Sequence, residues 1–147
     1  MEIIRRMTIG DYEELYALWM SCAGMGLNDL DDSKEGIAGF LNRNLDTCFI
    51  AADKDRIIGA IMSGNDGRRG YIYHTSVHPD HRKQGVARRL VEKVMEALDG
   101  LGINKVGLVV FERNREGNAF WEKTGFSARE DLVYRDKAIR VMHRVDT

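Results

Sequence analysis

The sequence predicts an α/β domain with a mixed, mostly antiparallel sheet, and three observations carry that expectation. Strand patterns follow one another closely between residues 48 and 77 with tight polar turns between them, which is the mark of an antiparallel meander. A strongly amphipathic helical pattern then runs from Val86 to Asp99. Beyond it, "KVGLVVF" is a near-continuous apolar strand, so the helix reads as a crossover joining strands 71–77 and 105–111 in parallel.

The elements follow in order. "EIIRR" opens as a short strand, and Thr8 is placed to cap a helix whose Tyr12, Leu15, Tyr16 and Trp19 recur at three- and four-residue spacing. Asp29, Asp31 and Asp32 fall in the next loop, just before Ser33, which is suited to cap a second, shorter helix. "CFIAA", "IIGAIM" and "YIYHTSV" are the meander strands, turned by "DKDR" and the glycine-rich "GNDGRRG". In the crossover helix the apolar residues fall at 86/87, 90/91, 94/95 and 98, with Arg88, Arg89, Glu92, Lys93, Glu96 and Asp99 on the other face, and Gly100 with Gly102 closes it. "NREGNAFWEKTG" predicts a fourth helix capped by Asn114, and "AREDLVY" with "AIRVMHRV" a closing hairpin around Asp136 and Lys137. With 147 residues and no repeat, low-complexity tract or linker, residues 1–147 are expected to form a single domain.

Composition narrows the function. The chain is 44% hydrophobic and 31% charged with a net charge of -1, which gives no overall attraction to nucleic acid or an anionic membrane. No uncharged apolar run approaches the roughly 18 residues of a membrane span. Cys22 and Cys48 lie in helix and strand patterns, as packing residues of a reduced, cytoplasmic protein. His74, His78 and His81 are closely spaced, but Pro79 prevents one helix from presenting all three, so no metal is expected.

The most informative stretch is "VHPDHRKQGVARRL". A helix that starts just after a glycine offers unpaired backbone N–H groups at the positive end of its dipole, where phosphate oxygens are favoured. Gly85 allows close approach, Ala87 is small, and Arg82, Lys83, Arg88 and Arg89 add positive charge. Without a Gly-Lys-Ser/Thr sequence, this is not the loop that holds a nucleoside triphosphate and magnesium. The residues alone leave a second reading open, in which Gly85 merely permits a strand-to-helix turn and the arginines are solvated.

The same segment resembles the acyl-CoA signature of the GNAT superfamily of N-acetyltransferases, Arg or Gln, two residues, Gly, one residue, Gly or Ala, matched by Arg82, Gly85 and Ala87. "V-x-P" at Val77 to Pro79 precedes it, and "NREGNAFWEKTGF" is similar to the second conserved region of that superfamily. Within the superfamily the chain looks closest to small bacterial proteins of the ribosomal-protein-alanine acetyltransferase type. The resemblance implies a V-shaped splay between the two central parallel strands, with acetyl-CoA lying in it as acetyl donor. The pantetheine arm would pair with the backbone of Thr75 and Val77 and with Asn114. The diphosphate would rest on Arg82, Lys83, Gln84, Gly85, Val86, Ala87 and Arg88.

The resemblance is less complete for catalysis. An amine must lose a proton before it attacks a thioester. Several relatives carry a glutamate or histidine on the strand that here offers Tyr73 and His74, and these are the base candidates. Strand parity sets Tyr71, Tyr73 and Thr75 on one face and His74 on the other, unless a bulge intervenes. Alanine-acetyltransferase relatives use a glutamate on the next strand, where this chain has Val109. The tyrosine that usually protonates the departing thiolate aligns with Trp121, which is expected to pack on the core or the cofactor, leaving Tyr134 or water as donor. Asp29, Asp31 and Asp32 border the implied acceptor site and are candidates to attract a cationic amine, or else simply solvated, capping loop residues. The expected function is direct acetyl transfer to a primary amine of a small molecule or peptide. The alternative is a catalytically weakened CoA-binding sensor or interaction module of the same fold. No nucleic-acid or membrane partner is expected, and a homodimer is left open.

Overall fold

The computed structural model describes residues 2–146. Five strands form one sheet in the order β1 (Glu2–Arg6), β2 (Phe49–Asp53), β3 (Arg56–Asn65), β4 (Gly70–Val77) and β5 (Val106–Gly107). The first three pairings are antiparallel and β4 pairs with β5 in parallel, as a crossover helix requires. The helices are α1 (Tyr12–Met20), α2 (Lys34–Arg43), α3 (Val86–Gly100) and α4 (Arg115–Lys123).

Two apolar cores sandwich the sheet. On one face, Leu15, Leu18 and Trp19 of α1 and Ile37 and Leu41 of α2 meet Ile50 and Met62. On the other, Val86, Leu90, Val94 and Leu98 of α3 meet Phe49, Ile61 and Ile72, joined by Trp121 from α4. The period read from the sequence for α3 is the stripe that is buried. Among the described residues no helix is long and apolar enough to cross a membrane.

Local signals placed most helix starts. Ser33 caps α2 by accepting the Gly36 N–H at 3.0 Å, and Asn114 caps α4 by accepting the Gly117 N–H at 2.9 Å. Thr8 opens a short 3-10 turn, Ile9–Asp11, that leads into α1. Its N–H donates to Asp11 at 2.9 Å, and Arg5 grips the same carboxylate.

Two expectations need correction. The apolar run 105–111 is a strand only at Val106 and Gly107, and beyond them Val109 is 60% exposed while Leu108 and Val110 pack on the core. The closing hairpin does not form either: among the described residues, 129–142 make no ladder, and Val133, Ile139 and Val141 lie exposed. Strand propensity stabilises only a segment with a surface to pack on. The backbone just downstream pairs elsewhere, with Arg144 bridging to Asn28 of the α1–α2 loop.

Candidate active site

β4 is the hinge of the site. Its pairing with β5 covers only Gly70 with Val106 and Tyr71 with Gly107, so the two strands part from residue 72 onward. Opposite β3 the register slips: Ala60 faces Ser76 and Met62 faces Tyr73, leaving Ile61 opposite both His74 and Thr75. This is a β-bulge, and it overturns the simple alternation. Tyr73 meets Phe40 of α2 edge-on at 5.4 Å and His74 meets Trp19 of α1 at 5.1 Å, so both face the α1–α2 side, while Ile72 points into the opposite core.

The loop from β4 to α3 forms a concave run of donors. Lys83 and Gly85 both take left-handed backbone conformations, with φ of 61° and 80°, and Gly85 serves as the N-cap of α3. Alternating backbone handedness turns successive N–H groups toward one centre. Among the described residues the N–H groups of 83–88 have no acceptor, the first helical bond being Arg89 N–H to Gly85 O at 3.1 Å. Six free donors at a helix N-terminus suit the oxygens of a diphosphate.

The cationic side chains around this turn divide by role. Arg89, which the sequence grouped with the phosphate-binding charges, is committed elsewhere: it holds the Glu2 carboxylate through Nε at 2.6 Å and Nη2 at 2.5 Å, and donates to Gln84 O at 3.1 Å. The Arg89 bonds keep Glu2 below its ordinary value against the opposing effect of burial, and the guanidinium itself is shifted up. Arg89 thus braces the loop on β1. Arg82 donates to Val77 O at 3.2 Å, Arg88 lies 3.6 Å from Glu92, and Lys83 is exposed. Val77 O is therefore already engaged, and the Thr75 hydroxyl donates to Tyr73 O at 3.2 Å. His78 accepts the Asp80 N–H through Nδ1 at 3.1 Å, capping the turn at Pro79, and no group of residues suited to a metal ion occurs among the described residues.

On the α1–α2 side the three loop aspartates separate. Asp32 is buried, with Oδ1 2.5 Å from His74 Nε2 and Oδ2 accepting the Asn28 N–H at 2.8 Å. Tyr12 of α1 donates to Asp32 O at 2.7 Å, fixing the same residue from below. Asp29 accepts the His143 N–H at 2.7 Å and returns its own N–H to His143 O at 2.9 Å. Asp31 is exposed and accepts from Asn28 Nδ2 at 3.1 Å. Asp32 and Asp29 thus hold the loop, and Asp31 faces solvent. Tyr134 is exposed, yet close enough that its charge bears on both Tyr71 and Tyr73. Burial first, then Tyr134 and Tyr73, push Tyr71 up to about 12. Burial, Tyr134 and Asp31 likewise raise Tyr73. Trp121 is buried between Phe120 and Phe126, at 5.0 and 5.1 Å, as a core residue.

The acetyltransferase (GNAT) family model matches residues 12–126. The chain belongs to this family. A GNAT relative, an acetyltransferase of Sodalis glossinidius, is 30% identical over 136 residues, covering 92% of this chain and 94% of that protein. Among solved structures, the PaiA N-acetyltransferase of Thermoplasma acidophilum, in complex with coenzyme A, superposes with a TM-score of 0.78 at 20% identity, over 88% of this chain and 91% of that one. The ribosomal-protein-S18-alanine N-acetyltransferase of Escherichia coli gives 0.70 at 19% identity, over 85% and 77%. The protein is accordingly a GNAT-fold N-acetyltransferase.

Three features of this GNAT site escaped the sequence reading. The Asp32–His74 contact joins residues 42 positions apart, and only the bulge in β4 turns the imidazole toward α1. Asn118 donates to Phe111 O at 3.0 Å and Asn114 O at 2.8 Å, tying the loop that precedes α4 to the helix. Gly36 packs against loop backbone, since a Cβ there would lie 2.4 Å from the carbonyl oxygens of Leu30 and Asp31. Its only sequence signal was a glycine just after a Ser cap.

Proposed function

We propose that this GNAT enzyme transfers the acetyl group of acetyl-CoA directly to a primary amine of a small molecule or peptide. The observation that carries the reading is the set of unpaired N–H groups at 83–88 beside the point where β4 and β5 part. The donor fits this chain: the diphosphate on those N–H groups, the pantetheine amides along the free edge of β4 near Thr75, and the Asn114 amide available from its capping position. Bound there, the thioester supplies an activated acetyl carbon.

His74 is the better base of the two candidates. The raised Tyr73 phenol leaves little phenolate near neutral pH. The imidazole meets Asp32 through Nε2, which leaves Nδ1 to take the proton released by the amine. The new N–C bond forms as the C–S bond breaks, and the thiol that leaves, with a pKa near that of cysteine, about 8.5, needs little proton assistance. That weak demand accommodates Trp121 in the core and leaves Tyr134 or water as sufficient donor.

The test pairs binding with turnover. Acetyl-CoA should raise the melting temperature of the native protein, and Gly85→Glu should abolish that rise while the apo domain stays folded. The substitution sets a carboxylate against the diphosphate, at a left-handed φ of 80° where a Cβ would also sit 2.8 Å from Arg89 Nη1. Thiol release from acetyl-CoA, read over a set of primary amines against an amine-free blank, should show transfer that His74→Ala slows. An unchanged ligand shift in Gly85→Glu overturns the cradle, and release never exceeding the blank overturns the transferase reading.

A further inference from the structure

We propose that the acceptor site selects an amine of single positive charge carried on an aromatic body, held against the rings of Tyr71, Tyr73 and Phe40 with Asp31 at the rim. This rests on the reading above, that the acceptor is a primary amine and His74, which faces the α1–α2 side of β4, is its base.

The rings form a built surface. The Tyr71 and Tyr73 centroids are 4.7 Å apart with planes inclined by 55°, and Phe40 closes edge-on to Tyr73 at 80°. The bulge in β4 sets this pair on the same side as His74, the proposed base. Tyr73 is nonetheless 44% exposed, so the cluster is a surface open to a ligand and not a sealed core. Aromatic faces attract an ammonium electrostatically and a second ring by offset or edge contacts.

Charge decides which amines fit. Of the three loop carboxylates, Asp32 is buried against His74 and Asp29 is bound to the backbone at 143. Asp29 and Asp31 are both exposed, and Asp31 is the one whose charge bears on Tyr73. Among the described residues Asp31 is the carboxylate whose charge bears on these tyrosines, so one ammonium is met by rings and one carboxylate, while the further ammonium groups of a polyamine gain no comparable partner there.

The experiment compares 2-phenylethylamine, 2-cyclohexylethylamine and spermidine as acceptors with acetyl-CoA, reading kcat/KM by thiol release, and reads equilibrium binding of each to the CoA-loaded protein by ligand-observed NMR. The phenyl amine should exceed its cyclohexyl isostere by about fivefold, within the range of ring–cation and ring–ring contacts, and should also exceed spermidine. Tyr73→Phe should keep the phenyl-to-cyclohexyl ratio, and Tyr73→Leu should bring it to within about twofold of one, a change that loss of a base would not produce. Asp31→Asn should raise KM for both monoamines alike. Ring-dependent binding without turnover supports the acceptor surface while refuting the transferase reading. A preference for spermidine, or a ratio unchanged in Tyr73→Leu, overturns the inference.

Discussion

Replacing Asp32 by Ala removes the carboxylate that ties the α1–α2 loop to His74 of β4. Two hydrogen bonds disappear together, between His74 Nε2 and Oδ1 at 2.5 Å and from the Asn28 N–H to Oδ2 at 2.8 Å. Losing one member of a buried polar pair costs roughly 3–5 kcal/mol when its partner is stranded without water. The His74 side chain keeps 15% of its surface exposed and regains some solvation, so the low end, about 3 kcal/mol, is expected. For a chain of this size, about 2–4 °C per kcal/mol puts the fall in Tm at roughly 6–12 °C. Asp32→Asn retains an oxygen for Asn28 and an amide for the ring, and should cost about 1 kcal/mol. Thermal or urea unfolding of the two variants measures the difference. Amide exchange at residues 28–33 should quicken far more in the alanine variant. Equal stabilities for alanine and asparagine, or a loss under about 1 kcal/mol for alanine, would refute the claim that this contact holds the loop.

Gly36→Ala forces a Cβ onto the Leu30 and Asp31 carbonyl oxygens, and an overpacking cost of about 2 kcal/mol is expected. KM for the amine should rise while stabilisation by acetyl-CoA persists; a rise confined to the KM for acetyl-CoA would contradict the assignment of this loop to the acceptor. Burial pushes the Cys48 thiol up to about 11, against a smaller opposing effect of its bond to Ser63 O at 3.4 Å. Because the shift is upward, thiolate is scarce below pH 10, and peptide mapping after exposure to a disulfide reagent at pH 8 should show Cys48 reacting on the order of a hundredfold more slowly than in the unfolded chain; comparable rates would falsify its burial.

What the sequence made legible follows from which interactions are local. The α3 stripe, the Ser33 and Asn114 caps and the turn at Gly85 are each set by residues within four positions, and all stand in the structure as expected. The bulge in β4 depends on how β3 and β4 slide past one another, so alternation placed His74 on the wrong side of Tyr73. Arg89 looked like a phosphate ligand because Glu2, its partner, lies 87 positions away. The pattern of 129–142 is that of strands, but a strand needs a neighbour, and nothing in that segment's own residues reveals whether one is present. For the aspartates, residue type suggested attraction of a cation, while burial and geometry made Asp32 a buried anchor, Asp29 an exposed anchor on the backbone at 143 and Asp31 an exposed charge beside Asn28.

The bridge between Asn28 and Arg144 also bears on how the protein is made. Val145 donates to Leu27 O at 3.1 Å, and the Asp146 carboxylate accepts the N–H groups of Gly26 and Leu27 at 3.1 and 2.7 Å. These partners lie 119 and 120 positions apart, whereas β2, β3 and β4 pair with near neighbours in sequence. During synthesis the meander and α3 can assemble as soon as they emerge, but the loop at 26–29 waits for residues 143–146. The unpaired N–H groups of 83–88 are therefore set by elements that precede residues 143–146 in the chain, and a chain ending after α4 would keep that turn while the 26–29 loop lacked the partners that fasten it.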